Sequence, residues 1–200
     1  FFMIKVFDDI LPQQVFDNLQ NNIVGDNFNV PFFYSNSTAV GKQNEVRVNN
    51  YGFSHLAYDN GQTNSYLGKL LEVSILHMLD KTNINVKDIM RIRIGLLTYV
   101  GRQVINDPHV DFEKEHYTGL LYLNDSDGDT FIYNQKYDPS TNLLMQEYFN
   151  TFLNNRLTVK KIISPKQNRL VIFDGHYFHS SSTPTIVPAR YVVNFNFTIW

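Results

Sequence analysis

The stretch "HYTGLLYLNDSDGDTFIYNQ", His116 to Gln135, decides the fold class of this chain. Two runs rich in Leu, Tyr, Ile and Phe flank the turn cluster "NDSDGD", and no crossover helix separates them. The runs "IMRIRIGLLTYV", "RLTVKKII", "RLVIFDG" and "RYVVNFNFTIW" have the same character. Short strands joined by turns favour an antiparallel sandwich or barrel over a doubly wound sheet.

Helical patterns surround this β-rich region. The segments "LPQQVFDNLQNNI" and "NSYLGKLLEVSILHMLDK", the second capped by Asn64, have apolar residues at helical spacing and are expected to buttress one sheet. The segment "DPSTNLLMQEYFNTFLNN" carries Leu144, Tyr148 and Phe152 at i, i+4 and i+8 and predicts an inserted helix. We therefore predict a single domain over 1–200, mainly β with buttressing α-helices. Residues 1–88 are the helical support, and 89–200 are the β core with a helical insert at about 133–163.

Composition narrows the function. The 200 residues include no cysteine and carry a formal net charge of −2, so His, Asp and Glu are the available metal ligands. The chain has no basic tract and no apolar run of about 20 residues, so neither nucleic acid nor membrane is indicated as a partner. A cytoplasmic protein is predicted, and abundant Asn (23) beside scarce Ala (3) suggests a bacterial or phage source. The oligomeric state is not indicated.

A candidate metal site begins at "PHVD". His109 and Asp111 are two residues apart, so an extended segment would direct both side chains to one face. Two histidines and one carboxylate that leave open positions suit non-haem Fe(II). Further along the chain, "FDGHYFHSSSTP" offers His176 and His179, and Arg190 opens the last strand, where a buried cation needs an anion.

From about Ile92 to the C terminus, the chain resembles the iron(II)- and 2-oxoglutarate-dependent oxygenases of the prolyl 4-hydroxylase-like branch. The resemblance lies in the segments "YVGRQVINDPHVD", "LYLND", "GDTFIY", "PKQNRLVIFDGHYFH" and "ARYVVNF", which occur in the family's order. It implies a double-stranded β-helix, or jelly roll, which agrees with the predicted strands.

The resemblance also implies residue roles. His109, Asp111 and His179 would be the iron ligands, Arg190 would bind the distal carboxylate of 2-oxoglutarate, and Tyr99 would hydrogen-bond this co-substrate. The implied reaction consumes O2, converts 2-oxoglutarate to succinate and CO2, and hydroxylates a substrate. Ascorbate is a further candidate cofactor.

Among the histidines, the family interval selects His179, because it stands six residues beyond Phe173. His176 then falls in the turn and is interpreted as solvent-facing or as a neighbour of the ligands. His55 is assigned to a loop and His77 to a helix, and both are interpreted as structural.

The last strand permits one prediction that the motif does not contain. If Arg190 points into the barrel, the even-numbered residues up to Asn196 share its face, and the odd-numbered, largely aromatic residues face the helices. We therefore expect Asn194 to contribute to the 2-oxoglutarate site, the alternative being a hydrogen-bonded core lining.

The substrate stays open at this point. The leading hypothesis is a protein or peptide side chain, with proline as the first guess, and the aromatic stretches "VPFFYSNST" and "NNYGFSHLAY" could line a groove for it. A second hypothesis keeps the iron chemistry but assigns a free amino acid, another small molecule or a nucleobase. A third is a non-catalytic jelly-roll binding module. "DGDTF" has one glycine where the family often has two, and the helical insert is a candidate lid or padding for the barrel rim.

Overall fold

The structure is a computed structural model that describes residues 4–25, 30–35, 51–153 and 156–200. Within these ranges it contains eleven strands, which confirms the mainly β class. The strands are β1 (Lys5–Phe7), β2 (Phe33–Ser35), β3 (Gly52–Asp59), β4 (Gln62–Thr63), β5 (Val86–Thr98), β6 (Tyr117–Tyr122), β7 (Thr130–Lys136), β8 (Val159–Ile163), β9 (Arg169–Asp174), β10 (Tyr177–Ser181) and β11 (Ala189–Ile199). The helices are α1 (Gln13–Ile23), α2 (Tyr66–Lys81) and the short α3 (Met145–Tyr148).

The strands form two sheets in which every described pair is antiparallel. The large sheet has the order β1-β9-β6-β11-β5-β3-β2, with β4 paired to β3, and the small sheet has the order β10-β7-β8. Strand β11 lies between β5 and β6, at the centre of the large sheet. The residues of β11 are therefore held on both sides by strands that each have a further neighbour in the sheet.

The helices α1 and α2 pack on one face of the large sheet, as predicted. Phe16 and Leu19 of α1 and Leu71 of α2 belong to the same buried cluster as Val193 and Phe195 of β11. The predicted alternation along β11 is thus confirmed, because its odd-numbered residues face the helices. No helix in the described part of the chain has the length and the apolar character needed to cross a bilayer.

The N-terminal region contributes more than helices. Strands β1 to β4 extend the large sheet on both edges, which the sequence did not predict. His55 lies in β3, not in a loop: its Nδ1 is 3.0 Å from the Pro31 carbonyl oxygen and its Nε2 is 2.8 Å from Ser65 Oγ. The N-cap of α2 is Ser65, not Asn64, and the Ser65 side chain makes no capping hydrogen bond.

The insert is less helical than predicted. Because β7 extends to Lys136 and β8 begins at Val159, the insert is shorter than the predicted 133–163. It contains a 3-10 turn at Pro139–Thr141, then α3, then a π-helical turn at Phe149–Leu153. Helix α3 begins only at Met145, with Leu144 at its N-cap, and the buried residues are Met145 and Leu153 while Leu144 and Phe152 of the predicted stripe are exposed.

Candidate metal centre and co-substrate pocket

The two predicted histidine ligands come from distant parts of the chain that pair through their backbones. His109 and His179 form an isolated antiparallel bridge, in which each N–H donates to the other's carbonyl at 3.0 Å. Their rings lie 4.6 Å apart, centroid to centroid. The loop that follows β5 is thereby fixed against β10.

Backbone carbonyls orient both imidazole rings. Nδ1 of His109 lies 3.1 Å from the carbonyl oxygen of Asp107, and Nδ1 of His179 lies 3.1 Å from that of Tyr177. Because a carbonyl only accepts, each Nδ1 carries the proton and each Nε2 keeps its lone pair, as in metal-ligating histidines. The Nε2 atom of His179 is buried without a hydrogen-bond partner. Burial, together with the neighbouring His179, lowers the pKa of His109 to about 4, so this ring is neutral at pH 7, the form that a metal requires.

Asp111 completes the set. One potential ligand atom from each of His109, Asp111 and His179 lies within 4.8 Å of the others, and Asp111 Oδ2 is 3.7 Å from His179 Nε2. The Asp111 side chain is only 2% exposed. Two neutral nitrogens and one carboxylate oxygen at this spacing fit a divalent transition metal with open coordination positions.

Neighbouring donors keep Asp111 ionised. Arg91 forms an ion pair with it at 2.7 Å, Asn196 Nδ2 donates to it at 2.9 Å, and Thr118 Oγ1 donates at 3.3 Å. Burial alone would raise the pKa of Asp111, but the neighbouring His179 and Arg91 hold it well below its ordinary value. The carboxylate is therefore oriented and charged before any metal binds.

A cavity of about 90 Å³ adjoins the two histidines and extends to Arg190. Arg190 is only 4% exposed. Its guanidinium donates to Thr130 Oγ1 at 2.9 Å, and the Tyr122 hydroxyl donates to the same oxygen at 2.7 Å. Burial lowers the pKa of Arg190, yet an arginine remains cationic in proteins, so the cavity contains a fixed positive charge.

The glycine retained in "DGDTF" has a steric role beside this cation. A Cβ on Gly128 would lie 2.6 Å from the carbonyl oxygen of Ser182 and 3.0 Å from Cδ of Arg190. A single glycine therefore suffices for the close approach at this position, and the family's frequent second glycine is replaced by Asp129.

Most of the residues predicted for the site converge, but one does not. Arg190 and Asn194 line the cavity with His109 and His179. Asn194 Nδ2 lies 3.4 Å and 3.5 Å from the Asp111 oxygens. Tyr99 is outside the cavity lining and is 53% exposed, and it follows Thr98, the last residue of β5.

His176 stays in the turn between β9 and β10, as interpreted. Its ring lies 5.7 Å from that of His116 and 5.9 Å from that of Tyr137, and it is not part of the three-residue metal set.

Sequence reasoning missed five polar contributors to the site, which are Arg91, Arg93, Thr118, Tyr122 and Thr130. The signal was present for the arginines, since "RIR" inside an apolar strand sends two cations to one face. The same alternation in "GLLYLN" places Tyr122 on the face opposite the helices.

A family model described as the 2OG-Fe(II) oxygenase superfamily matches residues 94–198, more than half of the chain. The chain belongs to this superfamily. A 2OG-Fe(II) oxygenase uses Fe(II), 2-oxoglutarate and O2, and the metal set and buried Arg190 described above fit these groups. The predictions of an enzyme and of these cofactors are confirmed, and the non-catalytic module finds no support.

Solved structures show the same fold at low identity. An oxidoreductase of the 2OG-Fe(II) oxygenase family from Burkholderia pseudomallei has a TM-score of 0.61 and 10% identity, with 98% of this chain and 85% of that chain covered. The non-haem alpha ketoglutarate-dependent epimerase SnoN from nogalamycin biosynthesis has a TM-score of 0.67 and 10% identity, with 98% and 78% covered. A Pseudomonas putida prolyl-4-hydroxylase has a TM-score of 0.51 and 12% identity, with 98% and 92% covered. The predicted jelly roll is thus confirmed. No curated protein matches this oxygenase in sequence.

Proposed function

We propose that this oxygenase hydroxylates a carbon atom of a peptide or protein side chain, with proline as the first substrate to test. In the proposed reaction, 2-oxoglutarate is decarboxylated to succinate and CO2, one oxygen atom of O2 enters succinate and the other enters the substrate. His109, Asp111 and His179 hold the iron, and Arg190 binds the distal carboxylate of the co-substrate. The observation that carries the proposal is the convergence of three potential ligands on a cavity whose interior contains a buried arginine.

The residues around the metal set act before any chemistry occurs. The Asp107 and Tyr177 carbonyls hold the protons on Nδ1, so both Nε2 atoms are free to ligate. Arg91 compensates the charge of Asp111 and fixes its rotamer. When bound, Fe(II) supplies the reaction with O2 and 2-oxoglutarate that makes an oxidant strong enough for an aliphatic C–H bond.

Arg190 is prepared for a carboxylate in the same way. Thr130 Oγ1 accepts from one guanidinium nitrogen and leaves the others for a bidentate contact. The buried Nε of Arg190 has no partner. A dicarboxylate that reached from this cation to the metal set would be oriented at both ends, which is what a bidentate 2-oxo acid requires.

An aromatic cluster at the cavity supports a peptide substrate. Phe53 lines the cavity, and its ring lies 5.9 Å from that of Tyr34 and 6.1 Å from that of Tyr51. Tyr34 is 63% exposed. These residues come from the two stretches predicted to line a groove, although residues 36–38 and 49–50 of those stretches lie outside the described part of the chain. Exposed aromatic rings are suited to packing against a proline ring.

Prolyl hydroxylases with this fold give the proposal its substrate class. One is the Pseudomonas putida enzyme, and another is a prolyl hydroxylase from Trichoplax adhaerens, in complex with a hypoxia inducible factor peptide fragment. The second candidate is a free amino acid or another small molecule, and the charged cavity favours it, since Arg93 lies in the cavity beside the metal set.

Succinate formation from 2-oxoglutarate tests the proposal. Purified protein is supplied with Fe(II), ascorbate and O2, alone and with a panel of proline-containing peptides and free amino acids. We expect turnover to be stimulated by a peptide and abolished in His179→Ala, while His176→Ala retains it. Stimulation only by free amino acids would overturn the peptide assignment, and turnover that survives in His179→Ala would overturn the ligand assignment.

A further inference from the structure

The cavity contains a second arginine, Arg93, whose role the co-substrate does not explain. Arg93 lies on β5 and lines the cavity together with His109, His179 and Arg190. On β11 its Cα partner is Asn194, whereas the Cα partner of Arg190 is Leu97 on β5. The two positions are four residues apart along the strand, or about 13 Å. The two cations are thus attached to the sheet at separate places.

The guanidinium of Arg93 has no partner in the described part of the chain. Its Nε is buried without a hydrogen-bond partner, while the residue as a whole is partly buried. Burial lowers the pKa of Arg93, the nearby charge of Arg91 acts in the same direction, and the charge of Asp111 opposes both. A cation whose Nε is buried and that forms no hydrogen bond or ion pair is costly, so its retention beside the metal set indicates an anion that binds during function.

Arg91 provides the internal comparison. It precedes Arg93 by two residues on the same face of β5 and has a partner, because it forms an ion pair with Asp111 at 2.7 Å. The Asp111 oxygens also accept from Asn196 and Thr118. The direct contacts of the carboxylate in the metal set are therefore made by other residues, and Arg93 acts on it only through its charge.

We propose that Arg93 binds a carboxylate of the molecule that is oxidised, so that the substrate is a carboxylic acid. This inference rests on the proposed oxygenase function and names the chemistry of its substrate. A planar guanidinium fork that grips a carboxylate at two points fixes the orientation of the attached carbon chain. Such a grip presents one C–H bond to the metal set and explains why the charge lies inside the cavity.

The carboxylate can come from two sources. In a free amino acid or another small acid, it belongs to the same small molecule that is oxidised. In a peptide, it is the C-terminal carboxylate or an acidic side chain next to the oxidised residue. Two small residues, Gly52 and Ser54, also line the cavity.

Matched acids and amides test the proposal. The panel pairs L-proline with L-prolinamide, proline-containing peptides ending in a free carboxylate with their C-terminal amides, and internal Glu peptides with their Gln counterparts. Two readouts are used, namely stimulation of succinate formation, and the shift in melting temperature of the Mn(II)- and 2-oxoglutarate-loaded protein. We expect at least one acid to stimulate succinate formation and to raise the melting temperature, and its neutral counterpart to be at least tenfold less effective.

Variants of the arginine assign that preference to Arg93. We expect Arg93→Met to weaken the stimulation by the active acid at least tenfold and to abolish the preference for acids over amides. Because the variant removes a charge that forms no hydrogen bond or ion pair, we expect it to melt at the same temperature as the wild type or higher. Arg93→Lys, which keeps the charge but not the fork, is expected to be intermediate. Arg156→Met, at an exposed arginine, is the control that leaves the preference unchanged.

Several results would overturn the inference. If acids and amides stimulated succinate formation and raised the melting temperature equally, or if no acid of the panel did so, the inference that the substrate carries a carboxylate would be wrong. A rise in KM for 2-oxoglutarate, or weaker Mn(II) binding, in Arg93→Met would assign the arginine to the co-substrate or to the metal set. Failure of the wild type to bind Mn(II) with 2-oxoglutarate would instead overturn the proposed function, so the two failures are distinguishable.

Discussion

Thr130 is the residue whose removal tests the co-substrate pocket most simply. Its hydroxyl oxygen accepts from Arg190 at 2.9 Å and from Tyr122 at 2.7 Å, and all three side chains are buried. Thr130→Val keeps the shape of the side chain and removes the acceptor. Two buried donors, one of them charged, then lose their partner.

The cost follows from those two contacts. Leaving one buried donor unsatisfied costs about 1–3 kcal/mol, and more where the donor is charged, so the pair predicts a loss of about 2–5 kcal/mol in the free energy of unfolding. The guanidinium of Arg190 would also lose the contact that orients it. We therefore expect a higher KM for 2-oxoglutarate as well.

Urea unfolding and co-substrate kinetics measure the two effects. Thr130→Ser, which keeps the hydroxyl, is the matched control and should retain most of the stability and the KM for 2-oxoglutarate. If Thr130→Val were as stable as the wild type and bound 2-oxoglutarate normally, the reasoning that Arg190 depends on this acceptor would be refuted.

Three further predictions concern the surroundings of the site. Gly119→Ala places a Cβ within 2.6 Å of ring atoms of Phe195. The free energy of unfolding in urea should therefore fall by about 1–3 kcal/mol, and a variant as stable as the wild type would contradict this packing. Met145→Ala removes a sulfur that accepts from the N–H of Val110, which lies between His109 and Asp111. The free energy of unfolding should therefore fall by about 2 kcal/mol, and the affinity for Mn(II) should fall too. Unchanged Mn(II) affinity would show that the insert does not support the segment that carries these two residues. Asp127 has a pKa of about 2, because hydrogen bonds from the segment beginning at Thr185 outweigh the opposing effect of burial. The ionised carboxylate therefore stabilises the fold above pH 3.8, by no more than about 1 kcal/mol at this exposure, and this stabilisation is lost as the pH falls towards 2. In Asp127→Asn, the melting temperature should change less between pH 3.8 and pH 2 than it does in the wild type. The same pH dependence in both proteins would contradict this role of Asp127.

Local periodicity explains what the sequence could predict. The amphipathic spacing of α1 and α2 and the alternation along β11 are properties of neighbouring residues, so the helices and the inward face of Arg190 and Asn194 were predictable. The site required the family pattern in addition. Nothing local indicates that His109 pairs with His179, because that bridge depends on the folding of two sheets.

The errors have physical causes of the same kind. The insert carries the spacing of a helix, but α3 begins only at Met145, so Leu144 lies at its N-cap and is exposed. Tyr99 matches a family position and follows the last residue of β5, and its contact with the co-substrate stays a prediction. Alternation placed Arg91 and Arg93 on one face, and only the tertiary contacts show that one is paired and the other is not.

Metal binding by two histidine variants tests the central claim most directly. Mn(II) is titrated into the wild type, His179→Ala and His176→Ala in the presence of 2-oxoglutarate, and the bound metal is counted. We predict one Mn(II) per chain for the wild type and for His176→Ala, and loss of binding in His179→Ala. Binding that survives in His179→Ala but is lost in His176→Ala would contradict the proposed ligand set.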